Sequence, residues 1–232
     1  MLTIPGYQLE SLQYETNNYK VYNAVRNQNR SKNIIIIPNK ENSPTETTKC
    51  LKDDFLAISK RDSPHILKAF ELIETPNTVA LIMEYFQGDS LDLLINRQVF
   101  QQDDERWIFF AINMAEALKA VHQFRIHGNI NPSNIQYNRF TGMLKLVGIG
   151  RSSTFAVNSF IESSDLALKH QPLYMSPEQS GQVNKVIDIR SDFYSLGIIL
   201  YELILGQPAF QGENLSELVH AHLAVTPPPP IR

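Results

Sequence analysis

One cysteine, Cys50, in 232 residues leaves no internal disulfide to build, which fits a reducing compartment. Charge of neither sign dominates. Lysine plus arginine numbers 21 and aspartate plus glutamate 24, a net −3, and without a basic excess the chain is not expected to bind nucleic acid. Long hydrophobic runs are missing as well. The longest, residues 196–205, is interrupted by Gly197, Tyr201 and Glu202, far short of the roughly 20 apolar residues that span a bilayer. The opening residues, MLTIPGYQLE, have neither the basic start nor the apolar core of a secretory signal. A cytoplasmic protein with no membrane partner is the expectation.

What is present is an ordinary globular composition, 43% hydrophobic and 19% charged, which excludes a disordered tail, a collagen-like rod and a coiled coil. At 26.5 kDa the chain suits one large domain or a two-lobed unit. The first third reads as strands: residues 19–25, the β-branched run 34–37 ended by Pro38, and residues 66–73 and 79–85 around the turn Glu74-Thr75-Pro76-Asn77. Between them residues 51–59 have a helical pattern, with Phe55 and Ile58 on one face. After Gly88 helices dominate. Residues 105–124 repeat Ile108, Ile112, Ala115, Leu118 and Val121 at helical spacing. Short strands at 135–137 and 143–147 flank a turn, residues 148–181 are irregular, and helices follow at 191–205 and 216–224. Four consecutive prolines, 227–230, resemble a polyproline linker.

Several local signatures, in this order, resemble those of a protein kinase domain. His127-Gly128-Asn129-Ile130-Asn131-Pro132-Ser133-Asn134 stands where kinases have the loop H-R-D-L-x-x-x-N, and Leu144-Lys145-Leu146-Val147-Gly148-Ile149-Gly150 where they have the D-F-G strand and turn. Tyr174-Met175-Ser176-Pro177-Glu178 is similar to the A-P-E element. Residues 188–197 resemble the start of the large central helix of the C-lobe, and Met83-Glu84-Tyr85 the hinge. The wording, with Pro177-Glu178-Gln179-Ser180-Gly181 and His220-Ala221-His222, is closest to the N-terminal kinase-like domains of large cyanobacterial hybrid serine/threonine–histidine kinases. The resemblance implies an α+β, bilobal fold. Its N-lobe, residues 7–86, is a small antiparallel sheet with one helix. Its C-lobe, residues 87–226, is mostly helical and lacks its last helices, and residues 227–232 form a proline-rich tail.

Phosphoryl transfer is chiefly positioning and electrostatics, so each part has a required residue type. Glycines should cover the phosphates because they let backbone amides come close; the matching positions are Tyr14, Thr16 and Tyr19, which suit an ordinary hairpin. The strand lysine that pairs with the phosphates aligns near Ile35 or Ile36. Lys40 lies about 13 Å further along an extended chain and reads as a solvated loop lysine. The helix glutamate aligns with Asp54, expected to be a surface carboxylate. Asn129 replaces the base, and a neutral amide cannot take the proton as a carboxylate does. Gly128 replaces the arginine and Asn131 the lysine of the loop. Gly148 replaces the aspartate that binds magnesium, a hard cation that needs anionic oxygen. Asn134 survives and reads as a loop brace.

Positions that shape the fold persist. His127, Ile149, Ile58 and Ala69 align with the family's apolar spine, Asp192 with its anchor, and Glu178 with the A-P-E glutamate. The resemblance therefore implies a pseudokinase: a non-catalytic regulatory or scaffolding module acting on protein partners or downstream domains of the same polypeptide. No metal and no cofactor is expected. The alternatives are phosphotransfer of a weak or unconventional kind, with ATP, magnesium and carboxylates such as Asp53 or Asp165, and nucleotide binding without turnover at Val21, Ile36, Glu84, Phe86 and Asn134. With its last helices absent, the C-lobe should leave Glu178 without its family arginine and expose apolar residues among Phe193, Leu200 and Ile204.

Overall fold

The structure, a computed structural model, describes residues 2–15, 19–39, 44–102, 105–149 and 171–229. Thr16, Lys40, Gly150 and Asp165, most of the irregular segment expected over 148–181 and the end of the proline tail lie outside the described residues. The chain is α+β and divides between Gln87 and Gly88 into two compact units.

The first unit is a five-stranded antiparallel sheet of order β1-β2-β3-β5-β4, comprising β1 (Tyr7–Glu15), β2 (Tyr19–Arg26), β3 (Lys32–Pro38), β4 (Ala69–Thr75) and β5 (Thr78–Glu84), with one helix, α1 (Pro44–Ile58). β1 is hard to see in sequence because register shifts at Leu9/Ser11 and Leu12/Tyr14 break its period-two pattern. β4 starts three residues later than the apolar run suggests. Pro64 and a turn from the Ile66 amide to the Ser63 carbonyl keep Ile66 and Leu67 out of the strand, although both are buried. The sheet is covered on both sides. Ile35 and Ile37 of β3 and Ala80 and Ile82 of β5 pack with Ile4, Tyr7 and Ala24 on one face. The alternate residues, Leu81 and Met83, are buried on the other, where α1 packs against β3, β4 and β5.

α1 begins earlier than its apolar spacing implies, with Pro44 at a position where a missing N–H costs nothing. Its inward stripe is Thr47, Leu51, Asp54 and Ile58, a four-three-four spacing that defines one helix face. Asp54 is thus not the surface carboxylate expected from the sequence; it is 4% exposed. Phe55, expected inside, is only half-buried.

The second unit has a small sheet, β6 (Asp89–Ser90), β7 (Ile135–Tyr137) and β8 (Leu144–Leu146), with α2 (Leu91–Asn96), α3 (Arg106–His122), α4 (Ile189–Leu205) and α5 (Leu215–Ala224). The Asp188 carboxylate caps α4 by accepting from the Arg190 amide at 2.8 Å, and left-handed Gly206 (φ 73°) ends it. Asn214 caps α5 through the Glu217 amide at 3.0 Å. The core includes Phe100, Phe110 and Tyr137, with ring centroids 5.4 to 5.7 Å apart.

α3 corrects the sequence reading. Its buried face is Phe110, Met114, Ala117, Leu118 and Val121. Ile108, Phe109 and Ile112 are exposed. Both faces are apolar, so spacing alone could not choose between them; the aromatic cluster around Phe110 decides. On α4, Phe193 is 49% exposed while Leu200 and Ile204 are half-buried. Among the described residues no helix is long and apolar enough to cross a membrane.

Met114→Ala should cost about 2–5 kcal/mol by opening a cavity, and Ile112→Ala should stay within about 0.5 kcal/mol. The urea midpoints of the two variants check the assignment, and the reverse order would contradict it.

Candidate functional site

In the first unit the strand register resolves which isoleucine stands at the lysine position. Ile36 lies directly opposite Val21 on β2 and Leu81 on β5. Directly opposed residues share a face, so Ile36, Val21 and Leu81 form one apolar row on the face that α1 covers. Ile35 points the other way, fully buried in the opposite core. The sequence-matched partners are therefore an isoleucine on the sheet and a buried aspartate on the helix. At the end of β5 the Glu84 amide donates to the Lys68 carbonyl at 2.8 Å, and its carboxylate accepts from the Lys68 amide at 3.3 Å. Phe86 follows and is half-buried.

In the second unit the segment 127–134 is built on one carboxylate. Asp192, on the first turn of α4 and 1% exposed, accepts from the Gly128 amide at 2.7 Å through Oδ1. Its Oδ2 accepts from the His127 amide at 2.9 Å and from His122 Nε2, on α3, at 2.7 Å. His127 is itself wholly buried, and its Nε2 donates to the Val147 carbonyl at 3.1 Å. A carbonyl can only accept, so Nε2 carries a proton. Burial pushes its pKa below the ordinary imidazole value, outweighing the upward pull of Asp192 and of the Val147 carbonyl.

Beyond this anchor the loop is a web of amides. Asn131 Nδ2 donates to Asn129 Oδ1 at 2.8 Å, and Asn134 Nδ2 donates to the Asn129 carbonyl at 2.9 Å. Asn131 Oδ1 caps the turn Pro132–Asn134 by accepting from the Ser133 amide at 3.0 Å. The Asn134 carbonyl accepts the Val147 amide at 3.0 Å, which ties the loop to the segment carrying Gly148. Gly148 adopts φ +74°, and a Cβ there would come within 3.1 Å of Asn134 Oδ1. The two positions that the family uses for magnesium thus lie side by side, with no carboxylate at either. Among the described residues no group of three or more His, Cys, Asp or Glu is placed to hold a metal ion.

The segment 174–180 closes over this loop. Gln179 Nε2 donates to the Gly128 carbonyl at 2.6 Å, while its Oε1 accepts from the Ser176 amide at 3.0 Å. Glu178 takes its hydrogen bond from the Ser191 hydroxyl, which answers the expectation that it would need a donor other than the family arginine. Burial pushes the Glu178 carboxyl up, but bonds from Ser191, its own amide and Ser176 leave it below its usual range. Tyr174 donates to the buried Glu202 of α4 at 2.6 Å, and burial together with that carboxylate pushes the phenol well above its usual value. Gln179, Tyr174 and Glu202 were not singled out from sequence. Only the reach of Gln179 to Gly128, 51 residues away, reveals its role.

A small antiparallel sheet with one buried-face helix, followed by a helical unit whose loop hangs on a helix aspartate, is the architecture of the protein kinase domain. The Protein kinase domain family matches residues 17–226, and the chain belongs to it. The chain is 29% identical over 188 residues to a probable serine/threonine-protein kinase PknB of Bifidobacterium longum, covering 75% of this chain and 26% of that protein. It is 32% identical to the serine/threonine-protein kinase PknB of Mycolicibacterium smegmatis over 68% of this chain and 25% of that one. To the serine/threonine-protein kinase ULK3 of Xenopus laevis it is 30% identical, over 85% and 42% respectively. The chain spans less than half the length of these relatives.

Asp192→Ala should destabilise the protein by at least about 3 kcal/mol, since two buried amides and a histidine N–H lose their acceptor. Asp192→Asn should cost less, because its Oδ1 can still accept. Denaturant unfolding of both checks the order; equal losses would contradict the anchor. Because the folded state keeps His127 neutral while the unfolded chain protonates near pH 6.5, the share of stability that depends on His127 is full above that value. It falls as pH drops below it, and an unfolding series in wild type and His127→Leu from pH 7.5 to 5.5 reads the difference.

Proposed function

We propose that this domain is a pseudokinase: a non-catalytic module that uses the protein kinase fold to regulate or scaffold signalling, resembling the N-terminal domains of cyanobacterial hybrid serine/threonine–histidine kinases. Its partners are other proteins or further domains of the same polypeptide, in the cytoplasm, and it needs neither ATP nor magnesium. The observation that carries this reading is the placement of Gly148 beside Asn134, where an added Cβ would come within 3.1 Å of Asn134 Oδ1. A glycine offers no ligand, its left-handed backbone disfavours a side chain, and the space a side chain would enter is taken by the Asn134 amide.

Two further substitutions act in the same direction. Asn129, at the base position, is a neutral amide whose Oδ1 accepts from Asn131, and it lacks the carboxylate charge with which a base takes a substrate proton. Ile36, at the lysine position, is apolar and sits in an apolar row. The residues present do not fit a magnesium-bound nucleotide, and no phosphotransfer step is assigned to them.

A second reading, residual kinase activity, draws on the curated relatives, which are serine/threonine kinases, and on the retained Asn134. The two readings part on a simple experiment. Purified protein with Mg-ATP and a radiolabelled γ-phosphate should incorporate no label into itself or a generic substrate. Mg-ATP should leave the melting temperature unchanged, since a ligand stabilises only through affinity for the folded state. Incorporation that disappears in Asn134→Ala would overturn the pseudokinase reading. A magnesium-independent rise in melting temperature would support nucleotide binding without turnover. Gly148→Asp should not create activity, and it should destabilise by about 1–2 kcal/mol through its left-handed backbone, measurable by urea unfolding.

A further inference from the structure

His222 is a buried titratable group that the loop around Asp192 does not use. It lies on α5 and is 6% exposed. Its ring is engaged at both nitrogens. Nε2 donates to the Pro172 carbonyl at 2.9 Å, so in the neutral ring the lone pair is on Nδ1. That lone pair accepts from the Tyr194 hydroxyl, on α4, at 2.8 Å. The Phe210 ring stands edge-on to the imidazole, with centroids 4.8 Å apart. One neutral ring therefore joins α5, α4 and the turn Gln171–Tyr174.

The groups around it offer a charged ring little help. On the turn, Tyr174 gives its hydroxyl to Glu202 of α4. On the next turn, Pro177–Ser180, Glu178 is bound by Ser191. On α5 itself Glu217 accepts from the Glu213 amide and from Asn214, and His220 is exposed. Among the described residues no carboxylate hydrogen-bonds to the His222 ring, whose partners there are Tyr194 and Pro172. Burial holds its pKa below the ordinary imidazole value, although the carbonyls of Pro172 and Leu173 pull the other way.

We propose that His222 is a proton-operated latch: neutral, it fastens α4 and α5 to the turn Gln171–Tyr174, and protonation at Nδ1 loosens that join. The proton comes from solvent. Once Nδ1 carries it, the Tyr194 hydroxyl must reverse from donor to acceptor, and a positive charge sits among a phenol, a phenyl ring and carbonyls. The released turn leads directly into the segment whose Gln179 holds the Gly128 carbonyl, so the latch connects proton concentration to the geometry of the loop 127–134. The device operates whether or not the domain transfers phosphate.

The sign follows from linkage. The open form protonates near pH 6.5 and the closed form only at lower pH, so closure is fully favoured above 6.5 and weakens as pH falls. Between pH 7.5 and 5.5 the opening equilibrium should rise roughly tenfold. Hydrogen–deuterium exchange at the two pH values, corrected for intrinsic rates, reads it directly. In wild type, the amides of residues 173–175 and 218–224 should lose protection roughly tenfold, while those of residues 110–118 in α3 lose less. His222→Gln, neutral throughout, should abolish the difference. Unchanged protection at 173–175, an equal loss in α3, or the same loss in His222→Gln would overturn the latch. Should His222→Gln fail to fold, Tyr194→Phe replaces it. Without the phenol donor the neutral ring loses support, so the NMR titration of His222 and the onset of exchange should both move to higher pH; an unmoved midpoint would overturn the proposal.

Discussion

The second unit is organised by a carboxylate that water barely reaches. Asp192 receives the amides of His127 and Gly128 and the ring N–H of His122, so one side chain on α4 fixes the start of the loop and its junction with α3. Charge-assisted bonds of this kind contribute about 1.5–3 kcal/mol each, and losing the acceptor would strand buried donors. Everything nearby is set by that fixed point. His127 is turned so that its Nε2 meets Val147, and Val147 binds Asn134 in turn. Gln179 reaches the Gly128 carbonyl because Asp192 has placed it. These bonds hold in place the loop that in this family positions phosphate chemistry.

What occupies the frame is different. Asn129, Asn131 and Gly148 stand at positions that are charged in the family; Asn131 and the retained Asn134 donate to Asn129, and a Cβ on Gly148 would meet Asn134. The loop's side-chain amides thus find hydrogen-bond partners within the loop itself. In the first unit the same exchange takes an apolar form, with Ile36 in line with Val21 and Leu81. Fold here depends on backbone anchors and core packing, and chemistry on a few charged side chains, so the second can be lost while the first persists.

Much of this was legible in the sequence, for identifiable reasons. The β-branched run of β3, the hairpin around Pro76-Asn77, the turn at Gly142 and the caps of α4 and α5 all carry local signals, and the motif at 127–134 fixed the place of the loop. Three features were not legible. β1 was hidden by its two register shifts. The burial of Asp54 comes from the packing of α1, whose inward stripe is Thr47, Leu51, Asp54 and Ile58. On α3 the spacing caught Leu118 and Val121, which are buried, but also Ile108, Ile112 and Ala115, which are exposed; the contact of Phe110 with Phe100 and Tyr137 selects the inward face. At the site, the replaced residues could be read one by one. That they bind each other is a matter of distance, and spacing in sequence does not encode it.

The central claim is that residues 129–134 and 148 form a self-satisfied brace and not a metal–phosphate site. Paramagnetic broadening tests it most directly. Manganese with ATP, titrated into nitrogen-15-labelled protein, broadens amides near any bound ion. The account predicts no selective broadening at Asn129, Asn134 or Gly148 at ion concentrations that leave the remaining spectrum intact. Broadening centred on Asn134 and Gly148, dependent on ATP and reversed by excess magnesium, would contradict it.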